Sequence, residues 1–146
     1  MADSGRRMTD GGQRFPVVGI GASAGGLEAF RKFFSTMSAD SGLAFVLIPH
    51  LDPSHASLMA DLLARSTAMP VVEAEEDMAV EADRVFILPP NKYMTIGDGK
   101  LHLTGPVERG GLQTSIDLFL RSLAEDRQEQ AVGIVLSGTG RTAPWV

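Results

Sequence analysis

Cysteine is absent from the 146 residues. That excludes a disulfide framework, thiolate catalysis and a cysteine-built zinc site, and it agrees with a reducing cytoplasm. Basic clusters are missing too. Thirteen Lys and Arg stand against 18 Asp and Glu, a net charge of −5. A nucleic-acid binder carries a basic patch, and no stretch supplies one, so no nucleic-acid partner is expected. No apolar run approaches the ~18 residues of a membrane span. The N-terminus lacks the apolar core of a signal peptide, so no membrane insertion is expected. There is no internal repeat.

What remains is ordinary globular material, with 44% apolar and 21% charged residues. The length suits one domain of roughly 100–200 residues. Residues 1–14 are polar and Gly-rich and read as a disordered leader, with the domain over 15–146. Apolar runs at 15–20 (FPVVGI), 43–48 (LAFVLI), 85–88 (VFIL) and 131–136 (AVGIVL) read as buried strands. Residues 70–74 read as a short, edge-like strand. Helical spacing over 25–37 places Leu27, Phe30 and Phe34 on one face. Ser54 caps a predicted helix running to about Arg65, with Leu58, Leu62 and Met69 on one face and Asp61 on another. Ser115 caps another that carries Ile116, Phe119, Leu120 and Leu123. Between them, 93–96 and 100–104 flank Gly97-Asp98-Gly99 as a hairpin. The acidic stretch holding Glu73, Glu75, Glu76, Asp77, Glu81 and Asp83 reads as a solvated loop. The fold class is therefore α/β: a doubly wound, mainly parallel sheet with a β-hairpin insertion.

In such sheets, sites form at the carboxyl ends of strands. Three stretches fall there: GASAGG after the first strand, PHLDPSH after the second and SGTG after the last. The first satisfies two motifs. Gly19 to Ala24 fits G-x-G-x-x-A, a dinucleotide-binding turn, and Gly21 to Gly25 fits G-x-S-x-G, a nucleophile elbow. The dinucleotide reading needs an acid at the end of the second strand. That strand ends in Pro49-His50 instead, which disfavours it, and no cofactor is expected. The elbow reading needs an imidazole to take the proton of Ser23, and His50 ends the strand expected beside the first. It also needs backbone donors for the developing oxyanion. The N–H of Ala24, at a helix start, suits that role. In the plainer alternative, Ser23 only caps the helix. His55 and His102 read as solvated; His50 and His55 miss the helical i, i+4 zinc spacing, and no carboxylate pattern completes a metal site.

Taken together, VVGIGASAGGLEAF, FVLIPHLDPSHASLMADLLA, VFILPPNKYMTI and AVGIVLSGTG closely resemble the CheB-type protein-glutamate methylesterase catalytic domain, from about Phe15 to Gly140. The resemblance implies hydrolysis of γ-glutamyl methyl esters on methyl-accepting chemotaxis receptors, often with deamidation of receptor glutamines. It implies Ser23 as nucleophile, His50 as general base, and the backbone N–H groups of Ala24 and Thr139 as oxyanion donors. It leaves the oligomeric state open. The family pattern G-x-G-x-D-G also carries an aspartate that orients the imidazole. Here Gly138-Thr139-Gly140 is followed by Arg141, and Thr142 stands in the aspartate's place. Asp52 and Asp61 read as surface polar residues rather than substitutes.

The resemblance further implies that the domain is incomplete at its C-terminus, by truncation or frameshift. Codons TCG GAC GGC ACC CTG GGT CTG A would encode the family continuation Ser-Asp-Gly-Thr-Leu-Gly-Leu. With the first T lost they read Arg-Thr-Ala-Pro-Trp-Val and stop, the tail that begins at Arg141; the gene's DNA downstream of Gly140 decides this. With only residues 1–14 ahead of the first strand, no receiver domain is expected in this chain, which then resembles sensory fusion proteins that begin with the esterase. A non-catalytic remnant that only binds partners is the alternative function. Apolar surface left open near Val132, Ile134 and Leu136 is the expected physical consequence.

Overall fold

The computed structural model describes residues 15–22, 26–49, 56–105 and 112–136. In chain order the elements are β1 (Val17–Ala22), α1 (Gly26–Ser35), β2 (Ala44–Pro49), α2 (Ala56–Ala64), β3 (Val71–Glu73), β4 (Met78–Ala79), β5 (Val85–Ile87), β6 (Tyr93–Gly97), β7 (Lys100–Thr104), α3 (Leu112–Arg127), a 3-10 turn (Gln128–Gln130) and β8 (Ala131–Leu136). Five strands form a sheet in the order β3-β5-β2-β1-β8, and every neighbouring pair in it is parallel. The chain moves outward from β1 through β2 to β5 and β3, then returns to place β8 on the other side of β1. That reversal makes β1 the switch point of the sheet.

A parallel sheet needs cover on both faces, and strand alternation supplies two apolar sets. Val18, Ile20, Ala22, Phe45, Leu47, Val85 and Ile87 form one core with Phe30 and Phe34 of α1 and Met59 and Leu63 of α2. Phe34 and Phe45 meet edge to face with ring centroids 5.1 Å apart, the geometry that aromatic quadrupoles prefer. Val17, Ala44, Val46, Ile48 and Phe86 form the opposite core with Phe119 and Leu123 of α3 and with Met94, Ile96 and Leu101. All six residues of β1 are buried, which explains why this strand reads as a continuous apolar run. The strand extends past the predicted 15–20 to include Gly21 and Ala22, because both remain in register with β2 and β8.

Several local expectations shift. On α2 the buried pair is Met59 and Leu63, while Leu62 is half-buried. Ser54 and the side chain of Leu58 lie outside the described residues. Ser115 caps nothing: α3 begins at Leu112, and Ser115 lies buried inside it. The acidic stretch contains β4, a strand of two residues created by pairing Met78 with Leu101 and Ala79 with Lys100. Burial rises along β8, from Val132 at 41% exposed to Leu136 at 6%. The open apolar surface expected there is confined to its start, because Leu136 joins the α1 core.

β4, β7 and β6 form a second, antiparallel sheet in that order. Its hairpin turns at Asp98 and Gly99, with φ of 54° and 74°. Two successive positive φ values are those of the type I′ turn that matches strand twist. Helix α3 holds this turn from below. The Asp126 carboxylate accepts the N–H of Asp98 at 2.7 Å and of Gly99 at 3.2 Å. Ser122 Oγ accepts the N–H of Ile96 at 3.0 Å and donates to the Phe119 carbonyl at 2.8 Å. Replacing Asp126 by Ala removes a charged acceptor from two backbone donors, and a cost of about 1–2 kcal/mol is expected in urea unfolding. A variant unfolding at the wild-type midpoint would show that the turn holds itself.

Candidate active site

The parallel register brings three chain exits to one level. Ala22, the last residue of β1, is the register partner of Pro49 at the end of β2. It is also the partner of Leu136 at the end of β8. Neighbouring strands lie about 4.8 Å apart, so the GASAGG, PHLDPSH and SGTG segments leave the sheet from adjacent points on its carboxyl edge. The expectation that the His50 strand neighbours the Ser23 strand is met. Ser23, Ala24, His50, Thr139 and Thr142 themselves lie outside the described residues, as do His55 and Asp52. The structure thus brings together the strand ends that carry the motifs and says nothing of the side chains beyond them. Asp61 is exposed on α2.

A second group of titratable side chains sits on the small sheet. Glu76, Asp77 and His102 offer ligand atoms that all lie within 4.8 Å of one another. Sequence reading left them apart, as an acidic loop and a solvated histidine. Pairing of β4 with β7 joins them, and that pairing has no local signature. Two carboxylates and an imidazole are donors a divalent cation accepts, but here Glu76 already has protein partners. Its Oε1 accepts the N–H of Leu103 at 2.7 Å, and its Oε2 lies 3.4 Å from His102 Nδ1. The Asp77 N–H in turn donates to the Leu101 carbonyl at 2.8 Å. These contacts tie the 74–79 segment to β7.

Comparison with known proteins sets this fold in context. The structure superposes on the solved CheB methylesterase catalytic domain of Thermotoga maritima with a TM-score of 0.75. That match has 21% identity and covers 84% of this chain and 67% of that one. It shows the fold: a doubly wound α/β domain with a mainly parallel sheet. The family model for CheB methylesterase matches residues 18–142, which takes in all three motif segments. The chain belongs to the CheB methylesterase family, whose named activity is carboxylic ester hydrolysis. Among curated relatives, a protein-glutamate methylesterase/protein-glutamine glutaminase of Cupriavidus pinatubonensis is 35% identical over 126 residues. A second, from Treponema pallidum, is 30% identical over 129 residues. A 104.1 kDa protein of Rhodobacter capsulatus is 48% identical over 82 residues, 56% of this chain and 8% of that protein. This chain spans 37% of the length of the Cupriavidus relative and 32% of the Treponema one. No helix among the described residues is long and apolar enough to cross a membrane.

The Glu76 contacts have a pH consequence. The Leu103 N–H, and after it the His102 side chain, hold the Glu76 carboxyl below its ordinary value of 4.5. A carboxylate with a lowered folded pKa stabilises the fold above its unfolded pKa, and that contribution is lost as pH falls through the folded value. The melting-temperature difference between wild type and Glu76→Gln is therefore expected to be constant at neutral pH and to shrink below about pH 4.5. A difference that does not change across this range would contradict the assignment. The group is exposed, so added salt weakens the effect.

Proposed function

We propose that this domain hydrolyses γ-glutamyl methyl esters on the cytoplasmic region of methyl-accepting chemotaxis receptors, with deamidation of receptor glutamines as the sister reaction. The observation that carries the reading is the shared register level of Ala22, Pro49 and Leu136, which starts the serine, histidine and Gly-Thr-Gly segments from adjacent strand ends. Family membership and the paired activities in the relatives' names support it.

The chemistry requires no cofactor. Ser23 Oγ attacks the ester carbonyl carbon while His50 takes its proton. The carbonyl oxygen gains negative charge, which the N–H groups of Ala24 and Thr139 stabilise. Collapse expels methoxide, which leaves as methanol with the proton from His50. A glutamyl ester on Ser23 remains. Water attacks it with His50 again as base, releasing the free glutamate and restoring the serine. With a glutamine substrate, ammonia is the first leaving group.

Thr142 modifies this scheme. Imidazolium formed at His50 meets a neutral hydroxyl where the family pattern has a carboxylate. In serine proteases, neutralising the corresponding group lowers kcat about 10⁴-fold, and a loss of that order is expected here. The test is release of methanol from a methyl-esterified receptor fragment. Slow but measurable turnover is expected in the wild type, none above background in Ser23→Ala, and a rise in Thr142→Asp. A folded wild type and a folded T142D variant that both fail to release methanol would overturn the proposal.

A further inference from the structure

Two glycines of β1 are held by what sits above them rather than by their backbone. Among the described glycines only Gly42 and Gly99 have positive φ, so neither Gly19 nor Gly21 is needed for a left-handed turn. Both face α3. A Cβ at Gly21 would stand 2.5 Å from Ile116 Cδ1, 2.7 Å from Cγ1 and 3.2 Å from Cγ2. Rotating the side-chain tip cannot relieve this, because both branches of a β-branched residue lie close. At Gly19 the same atom would meet Leu120, Phe119 and Leu123 at 2.9, 3.0 and 3.2 Å. Gly19 is the register partner of Gly133 on β8, and Leu120 also lies over that position at 3.5 Å. Helix α3 therefore rides low across β1 and β8, and Ile116 occupies the space that Gly21 leaves empty.

Gly21 is also the first letter of the G-A-S turn and stands two residues before Ser23. We infer that Ile116 is a positioning residue for the nucleophile: seated on Gly21, it fixes the height at which β1 ends, one residue before Ser23 in the chain. The glycine that opens the motif is kept small by a helix from the far half of the chain. This inference rests on the function proposed above.

The experiment uses the full chain and two readouts. The first is thermal melting of Gly21→Ala, Ile116→Ala and the double variant. The added methyl of G21A collides with Ile116, so G21A is expected to melt well below wild type. The double variant is expected to recover much of that loss. The second readout is the rate at which a fluorophosphonate probe labels Ser23: the Oγ–P bond forms, fluoride leaves and His50 takes the proton. A displacement near 1 Å can cost about 10²-fold in rate. Labelling is expected to slow about ten- to a hundredfold in I116A and only slightly in Ile116→Val. The pH midpoint of labelling stays where it is in wild type, because the base is untouched. A folded I116A labelled at the wild-type rate would overturn the positioning role, as would a G21A that melts with wild type. A wild type that takes no label at Ser23 would contradict the proposed function and the positioning role together. The melting cycle would still report whether Ile116 and Gly21 are coupled.

Discussion

The structure depends on β1 being buried on both faces while remaining in parallel register with a strand on each side. Six consecutive residues, VVGIGA, are fully enclosed. One set of alternating side chains meets α1 and α2 and the other meets α3 and the small sheet. A strand in that position cannot slip by one residue, since a slip would exchange the two faces. Its glycines would then face the phenylalanines of α1, and its valine and isoleucine would collide with α3. Register is thereby fixed, and with it the level at which Ala22, Pro49 and Leu136 end. The candidate site inherits its geometry from the core.

Glycines in different places in this fold do different work. Gly99 supplies a positive φ at the hairpin turn, which glycine adopts at no steric cost. Gly21 supplies an absence of atoms under Ile116. The small sheet is bound to the same helix from the other side, through Asp126, Ser122 and the apolar side chains of Met94 and Ile96. Helix α3 thus links the hairpin to the strand that carries the serine motif.

Much of this was legible in the sequence, for identifiable reasons. β1, β2 and β5 are short apolar runs because a doubly covered parallel strand buries every residue or nearly so; β8 is legible as an apolar run too, although only Leu136 in it is buried. The hairpin was legible because Gly97-Asp98-Gly99 separates two alternating segments. The serine and histidine motifs were legible as patterns, and so was the adjacency of β1 and β2, the strands that lead into them. β4 was not legible, because two residues, Met78 and Ala79, become a strand only when Leu101 and Lys100 pair with them. The start of α3 was misplaced because Ser115 looks like a cap by residue type, and only tertiary burial shows it to be internal. The contact of Gly21 with Ile116, and of Glu76 with His102, joins distant segments and leaves no local trace.

The central claim is that Ser23 is the residue on which the receptor acyl group is carried. Its most direct measurement is acid quenching of the chain during turnover with a methyl-esterified receptor peptide, followed by mass spectrometry of the digested protein. The account predicts a glutamyl adduct on the fragment containing Ser23, formed with loss of methanol and absent when Ser23 is alanine. An adduct on a different residue, or methanol release that persists in the alanine variant, would contradict it.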